Sequence, residues 1–397
     1  MTKEQKIQEL LTRGTVDLIV KKDLEEKLKS GKKLRIKYGV DPTGPKIHLG
    51  RASTMRKLAK FQELGHQIVL IVGDFTAQIG DASDKTNERP MLTYDDIKKN
   101  MENYLPQIGQ VIDVKKAEVH YNSEWLGKLD YFDICRQADN FSVAQILDRE
   151  NFSKRYKEGT RISLRELFYP LMQGYDSVAI KADIEIGGSD QLFNMLAGRT
   201  LQKAYNQKPQ DVITYELMDG TDGRKMSTSW GNVILIEDKP NDIYGKIMSM
   251  RDEGVLKYFE LATDMEMQEI QKIKKDLKAD KLNPRDLKMR LAREIITMYH
   301  SEKDALDAEE NFKKVFQDKG IPEDIEEMKI KKESIGIIDL LVETKLCSSK
   351  GEARRVIQQG GVKIDSKQIK DTDLEIKVSN KSKVLQKGKR HFIKIKS

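Results

Sequence analysis

The feature that most restricts the fold is a strand–helix–strand pattern near the N-terminus. "LRIKYGV" (34–40) and "QIVLIVGDF" (67–75) are β-rich apolar runs. Between them "RASTMRKLAKFQELG" (51–65) has helical character, with Gly65 where a C-cap glycine belongs. At this spacing the three segments form a βαβ unit, which requires a right-handed crossover and a parallel sheet. "AEVHYNSEW" (117–125) and "ADIEIGGSDQ" (182–191) supply further strand candidates, with helix-like stretches such as "DYFDICRQADNFSVAQILDRENF" between them. The expectation is a doubly wound, Rossmann-like α/β domain over 1–235, carrying a helical insertion at about 90–185.

A chain of 397 residues is too long for one hydrophobic core, so two or three domains are expected. After "NVILIED" (232–238) the character changes. Residues 240–317 are charged and helix-periodic, as in "PRDLKMRLAREIITMYH", which predicts a helical domain over 236–320. A polar linker at 321–335 leads to a small α+β module at 336–397. Within it "GIIDLLVETKLCSSKGEARRVIQQGGVKIDSKQI" reads as helix, capped helix, turn and strand. Residues 335–397 carry 15 Lys+Arg against 7 Asp+Glu, a net of +8, so the rest of the chain sums to −1. That concentration suits either a solvated tail or a module for a polyanion.

Cys135 and Cys347 stand far apart with no CxxC partner, which excludes a disulfide framework or a cysteine zinc site and fits a reducing cytoplasm. No run of about 18 apolar residues is present, so no membrane partner is expected, and the N-terminus lacks the apolar core of a signal peptide.

The chemistry begins at "RIKYGVDPTGPKIHLGRAS" (35–53). In an open parallel sheet ligands bind beyond the carboxyl ends of the strands. A helix starting there offers unpaired N–H groups and a positive dipole end to an anion. Gly39 and Gly50 let the backbone approach a ligand, and His48 and Arg51, three apart, share a helix face. His48 taken alone is either a structural histidine or a phosphate ligand. "DGRKMSTSWGN" (222–232) is a glycine- and serine-rich loop with a central lysine. It is either an ordinary surface loop or one that delivers a cation and hydroxyls to a phosphate chain.

Taken together, "HLGR" and "KMSTS" resemble the HIGH and KMSKS signature pair of the class I aminoacyl-tRNA synthetases. "YGVDPT", "IGDASDKTNER" (79–89), "YPLMQGYDS" (169–177) and "GGSDQ" (187–191) are similar, in order and spacing, to motifs of the tyrosyl-tRNA synthetase family. The C-terminal module resembles the S4 RNA-binding fold of many bacterial members. The resemblance implies attack of the tyrosine carboxylate on the α-phosphate of ATP, release of pyrophosphate, and transfer of tyrosine to the 3′ end of tRNA(Tyr). It implies ATP as a substrate with Mg²⁺, no protein-bound metal or organic cofactor, and a homodimer joined through the insertion.

The same resemblance assigns residues. Thr43 and His48 hold the γ-phosphate region, with Arg51 beside them, and Lys225, Ser227 and Ser229 close over the pyrophosphate. Lys85 and Arg89 match basic positions near pyrophosphate; Gly39, Asp41, Gly50 and Met226 also belong to the ATP site, and Asp190 reaches the ribose. Asp81, Tyr169 and Gln173 bind the α-ammonium, Gln191 supports the tyrosine, and Asp176 accepts the phenol hydroxyl. A site built to bond a hydroxyl rejects an analogue lacking it, because a buried acceptor is left unpaired; the tyrosine-specific synthetases are the usual illustration of that rule. In the C-terminal module Arg354, Arg355 and Lys363 are the tRNA-contact candidates.

Three positions depart from the family pattern. Arg51 replaces the last histidine of HIGH, Thr228 replaces the second lysine of KMSKS, and Lys37 stands where many members place a tyrosine. Lys37 is expected to pair with Asp176 or to donate to the phenol oxygen. Two other readings stay open: a tryptophan–tRNA ligase, and a synthetase-derived RNA-binding protein without aminoacylation.

Overall fold

The computed structural model describes residues 2–81, 91–316, 327–330, 332–379, 382–388 and 391–397. The chain divides into two compact units, Met1–Ala305 and Leu306–Ser397. The first is built on six strands: β1 (Thr15–Ile19), β2 (Arg35–Val40), β3 (Gln67–Val72), β4 (Glu118–Tyr121), β5 (Ile184–Gly188) and β6 (Asp211–Tyr215). Their order is β1–β6–β5–β2–β3–β4. β2 to β6 are mutually parallel, while β1 runs antiparallel to β6. The sheet is therefore mixed rather than wholly parallel. No single crossover joins β1 to its neighbour β6, so the connection does not require the two to run parallel. Neither β1 nor β6 was among the strand candidates read from the sequence.

β3 reads as an unbroken apolar run because it lies between β2 and β4 with nearly every residue buried. Helix α1 (Leu49–Glu63) turns Leu49, Ala52, Met55, Leu58 and Phe61 into the core. It ends at Leu64, and Gly65 follows at φ +85°, the left-handed turn that sends the chain back into β3. Helix α2 (Leu164–Ile180) begins at a reciprocal cap between Ser163 and Glu166, and α3 (Leu192–Ala204) packs along it. Between β3 and β5 the described residues are mainly helical and include β4.

Beyond β6 the chain is helical, as its periodicity predicts: α4 (Pro240–Met248), α5 (Val255–Ala262), α6 (Met267–Lys278) and α7 (Pro284–Tyr299). "NVILIED" forms no strand of the sheet; Leu235 makes an isolated bridge to His48 instead. Arg13, almost fully buried, ties the N-terminal helix Lys3–Thr12 to this region. Its guanidinium donates to the carbonyls of Phe259 (3.1 Å), Glu260 (2.6 Å), Thr263 (2.8 Å) and Met265 (2.8 Å), the unpaired end of α5.

The second unit has its own core, with Leu340, Leu341, Ala353, Ile357, Val362 and Leu385 buried. Among its described residues, helices α8 (Ile337–Glu343) and α9 (Lys350–Gln358) accompany seven short strands, five of them in one mixed sheet. Ser349 caps α9 by accepting from the Glu352 N–H (3.2 Å), as the sequence suggests. No helix among the described residues is long and apolar enough to cross a membrane.

Removing the Arg13 side chain leaves several buried carbonyls without donors, each costing about 1–3 kcal/mol. Arg13→Ala is expected to lower the unfolding free energy by about 3 kcal/mol or more in a urea titration. Arg13→Lys should recover only a small part, since an ammonium lacks the planar fork that reaches several acceptors.

Candidate active site

The carboxyl ends of β2, β3 and β5 open on a cavity of about 550 Å³. The chain leaves β2 towards β3 on one side and β5 towards β6 on the other, so the cavity sits at the switch point of the sheet. Gly39, at the end of β2, has no atom within 4 Å of where its Cβ would be, so the floor there is clear for a ligand.

The turn after β2 builds one wall. Asp41, Thr43, His48, Gly50 and Arg51 all line the cavity. His48 is the N-cap of α1, its Nδ1 accepting from the Arg51 N–H at 3.3 Å. An imidazole that accepts at Nδ1 carries its proton on Nε2 and is a neutral donor there. Burial, reinforced by the charges of Arg51 and Lys225, pushes the His48 pKa down to about 3. The Arg51 guanidinium donates to Tyr104 Oη and lies 5.9 Å from that ring, and it forms no ion pair among the described residues.

The lysine loop builds the opposite wall, and backbone pairing fixes the two together. Leu49 N–H donates to Ile234 O (2.8 Å) and Ile236 N–H to Ile47 O (3.1 Å), so the segment after the loop runs against the histidine turn. Gly50 N–H donates to Met226 Sδ at 3.4 Å. Lys225, Met226, Ser227 and Thr228 line the cavity. Lys225 Nζ is 3.0 Å from Asp190 Oδ2, so the cation and the carboxylate expected at ribose face each other. Asn232 shapes the loop: it accepts from the Ser227 N–H (2.9 Å) and donates to Asp222 (2.9 Å) and Lys225 O (3.1 Å). The Ser229 side chain, with Lys85 and Arg89, lies outside the described residues.

The third wall is α2, whose Tyr169, Gln173 and Asp176 line the cavity together with Asp81, Asp190 and Gln191. Asp176 is 3% exposed and accepts from Trp125 Nε1 (2.7 Å) and Asn122 Nδ2 (3.3 Å). Burial pushes its pKa up to about 7, against the pull of Lys37 and those two donors. Tyr169 Oη (2.8 Å) and Thr76 Oγ1 (2.8 Å) both donate to Asp41, whose pKa burial raises to about 6. A Cβ on Gly73 would lie 2.0 Å from Asp41 Oδ1, so only glycine leaves this carboxylate its place. Gln191 Nε2 donates to Asp81 Oδ2 at 2.7 Å.

Lys37 is where the sequence reading needs correction. It is fully buried beneath the floor rather than lining the cavity. Its ammonium pairs with Glu185 (3.0 Å), not Asp176, and donates to Gln173 O and Ser177 Oγ, each at 2.7 Å. Lys37 and Glu185 are register partners on adjacent strands, so the nearer carboxylate takes the charge.

Glu185, Thr76, Asn122, Trp125, Tyr104 and Asn232 were not singled out beforehand. Glu185 had a signal, a carboxylate inside the apolar run "ADIEIGG" of a central strand. Asn232 ends the quoted lysine loop, and its amide was overlooked there; Thr76, Asn122, Trp125 and Tyr104 reach the site from segments distant in sequence and carry no local signal. In the second unit Arg354, Arg355 and Lys363 are all exposed, over a floor of Ala353, Ile357, Val362 and Ile364.

Residues 29–317 match the model for tRNA synthetases class I (W and Y), and residues 317–395 match that for the tyrosine–tRNA ligase SYY-like C-terminal domain. The chain is 46% identical over 396 residues to the tyrosine–tRNA ligase of Thermotoga maritima, spanning 100% of this chain and 98% of that one. It is 46% identical over 391 residues to the tyrosine–tRNA ligase of Moorella thermoacetica, covering 97% and 94%. Among solved structures, tyrosyl-tRNA synthetase of Archaeoglobus fulgidus complexed with L-tyrosine shares the fold at a TM-score of 0.63 and 23% identity, over 78% of this chain and 100% of that one. With its signature turn, lysine loop and acid-bearing helix around one cavity, the chain belongs to the class I tRNA synthetases of the tryptophan and tyrosine group, and within them to the tyrosine–tRNA ligases.

Proposed function

We propose that the chain activates tyrosine with ATP and transfers it to tRNA(Tyr), and that the cavity at the switch point makes the adenylate. The observation that carries this is the convergence of His48, Lys225 and Asp176 on one space of about 550 Å³. In the first step a tyrosine carboxylate oxygen forms a bond to the α-phosphorus, and the bond from that phosphorus to the bridging oxygen breaks, releasing pyrophosphate. No side-chain nucleophile is required. Charge moves onto the leaving phosphates, so the protein's task is to position the groups and stabilise that charge.

His48 supplies a neutral Nε2–H donor, Arg51 and Lys225 supply positive charge, and Thr43, Ser227 and Ser229 supply hydroxyls. Lys85 and Arg89 add cations from the segment after Asp81. Gly39, Asp41, Gly50, Met226 and Asp190 complete the ATP site, with the magnesium ion arriving on the nucleotide. When ribose binds, Asp190 exchanges Lys225 for hydroxyls and so frees the lysine for the phosphates. At the other end Asp176 accepts the phenol hydroxyl, while Asp81, Tyr169, Gln173 and Gln191 hold the amino-acid end. Residues 236–320 form the anticodon-binding segment and 336–397 an S4-like module that binds tRNA through Arg354, Arg355 and Lys363. The protein works in the cytoplasm as a homodimer; Tyr131 and Phe132 in the insertion, 81% and 75% exposed, support a surface that a second copy covers.

Amino-acid-dependent exchange of pyrophosphate into ATP, run with tyrosine, tryptophan and phenylalanine, tests the reading. Exchange with tyrosine alone is expected; exchange with tryptophan, or with none, overturns it. Lys225→Ala should lower the exchange kcat by about 10²–10³ while leaving the tyrosine KM within about threefold.

Asp176 gives a pH signature in the unliganded protein. Its folded pKa, about 7, lies above the ordinary carboxylate value, so the folded state holds a proton that the unfolded chain has released. Its contribution to stability is present at low pH and is lost as pH rises through about 7. Each unit of difference is worth about 1.4 kcal/mol. Between pH 5 and pH 8 the unmodified protein should lose stability relative to Asp176→Asn in parallel urea titrations.

Deleting residues 336–397 should weaken tRNA binding and flatten its salt dependence, since fewer phosphates are neutralised. An unchanged affinity and slope in filter binding from 50 to 300 mM salt would remove the module from recognition.

A further inference from the structure

At the floor of the cavity, β2 and β5 set two opposite charges side by side, Glu185 lining the space and Lys37 not. Lys37 and Glu185 are register partners, 0% and 1% exposed at their side chains, with Nζ 3.0 Å from Oε1. Lys37 Nζ also donates to the Gln173 carbonyl and to Ser177 Oγ, each at 2.7 Å. Glu185 accepts from Gln173 Nε2 and Ser177 Oγ, each at 3.2 Å, and from Gln210 Nε2. Apart from Gln210, every partner of the pair lies in one turn of α2, residues 173–177, and Asp176 is in that turn.

Stability does not account for this arrangement. Taking two charges out of water costs several kcal/mol per ion, and apolar residues of similar volume usually serve a core as well or better. Specific geometry does account for it, because both charges bond to the same stretch of helix. The pair also occupies the Lys37 ammonium.

We propose that the buried Lys37–Glu185 pair is a positioning device for substrate selection. It holds the 173–177 turn where Asp176 meets the phenol hydroxyl. This rests on the reading of Asp176 as the hydroxyl acceptor. A device of this kind acts on tyrosine and not on phenylalanine, because only tyrosine has the hydroxyl.

The test is pyrophosphate exchange with tyrosine and with phenylalanine, on the full chain and on Glu185→Gln, which keeps volume and an acceptor but removes the charge that neutralises Lys37. Expected for Glu185→Gln are a tyrosine KM raised about tenfold, an unchanged ATP KM, and a tyrosine-to-phenylalanine ratio of kcat/KM lowered about tenfold. A pair with only a structural role would change both amino acids by one factor and leave the ratio where it was. Thermal melting verifies that the variant is folded. Should Glu185→Gln not fold, Ser177→Ala, which removes one hydroxyl shared by both charges, takes its place with an expected fall of about threefold. An unmodified chain with no preference for tyrosine removes the reading of the cavity and the role of the pair together. An unmodified chain that prefers tyrosine, beside a folded variant with an unchanged ratio, overturns the pair alone.

Discussion

Everything in the catalytic unit depends on the direction in which the chain leaves two adjacent parallel strands. From β2 it crosses through α1 to β3, and from β5 through α3 to β6 on the other side. The two helices diverge, and the carboxyl ends of β2 and β5 are left uncovered between them. A parallel sheet covered on both faces has no other opening of this kind. The histidine turn, the glycines of "GGSDQ" and the acid-bearing helix all reach the same space because each follows or flanks one of those ends. The lysine loop comes from beyond β6 and is held there by the two backbone bonds between 47–49 and 234–236.

Burial then decides the protonation of the groups in that space. The same dry environment acts oppositely on acids and bases: it drives His48 down to about 3 and raises Asp41 and Asp176 to about 6 and 7. His48 thus faces the cavity as a neutral donor, beside the positively charged side chains of Arg51 and Lys225. Where carboxylates are kept, each is surrounded by donors: Tyr169 and Thr76 on Asp41, Trp125 and Asn122 on Asp176, and four groups on Glu185. Those donors come from five or more separate stretches of chain, so the polar network doubles as a brace for the cavity.

How much of this was legible varies with the range of the interaction. The βαβ unit, α1 with its glycine stop and the capped helix α9 rest on spacing and local caps, and all were readable. So were the residues on signature segments, because HLGR, the 169–176 helix and the lysine loop each carry their chemistry within a few residues. The antiparallel edge strand β1 was not, since its direction is set by a partner some 200 residues away. The expectation for Lys37 failed for a related reason: spacing along the chain cannot say which of two carboxylates is nearer across a sheet.

The amino-acid sequence by itself determined the βαβ unit, most of the helices, the charged side chains on the signature segments, and where the basic module lies. Those properties come from periodicity, capping and composition, all of them local. Only the tertiary structure decided that Glu185 neutralises Lys37, that Asn232 shapes the lysine loop, and that Trp125 and Asn122 serve Asp176. Each of those choices is a competition among polar groups for the same few ångströms of water-free space, and it is settled by distances that exist only once the sheet and helices have packed.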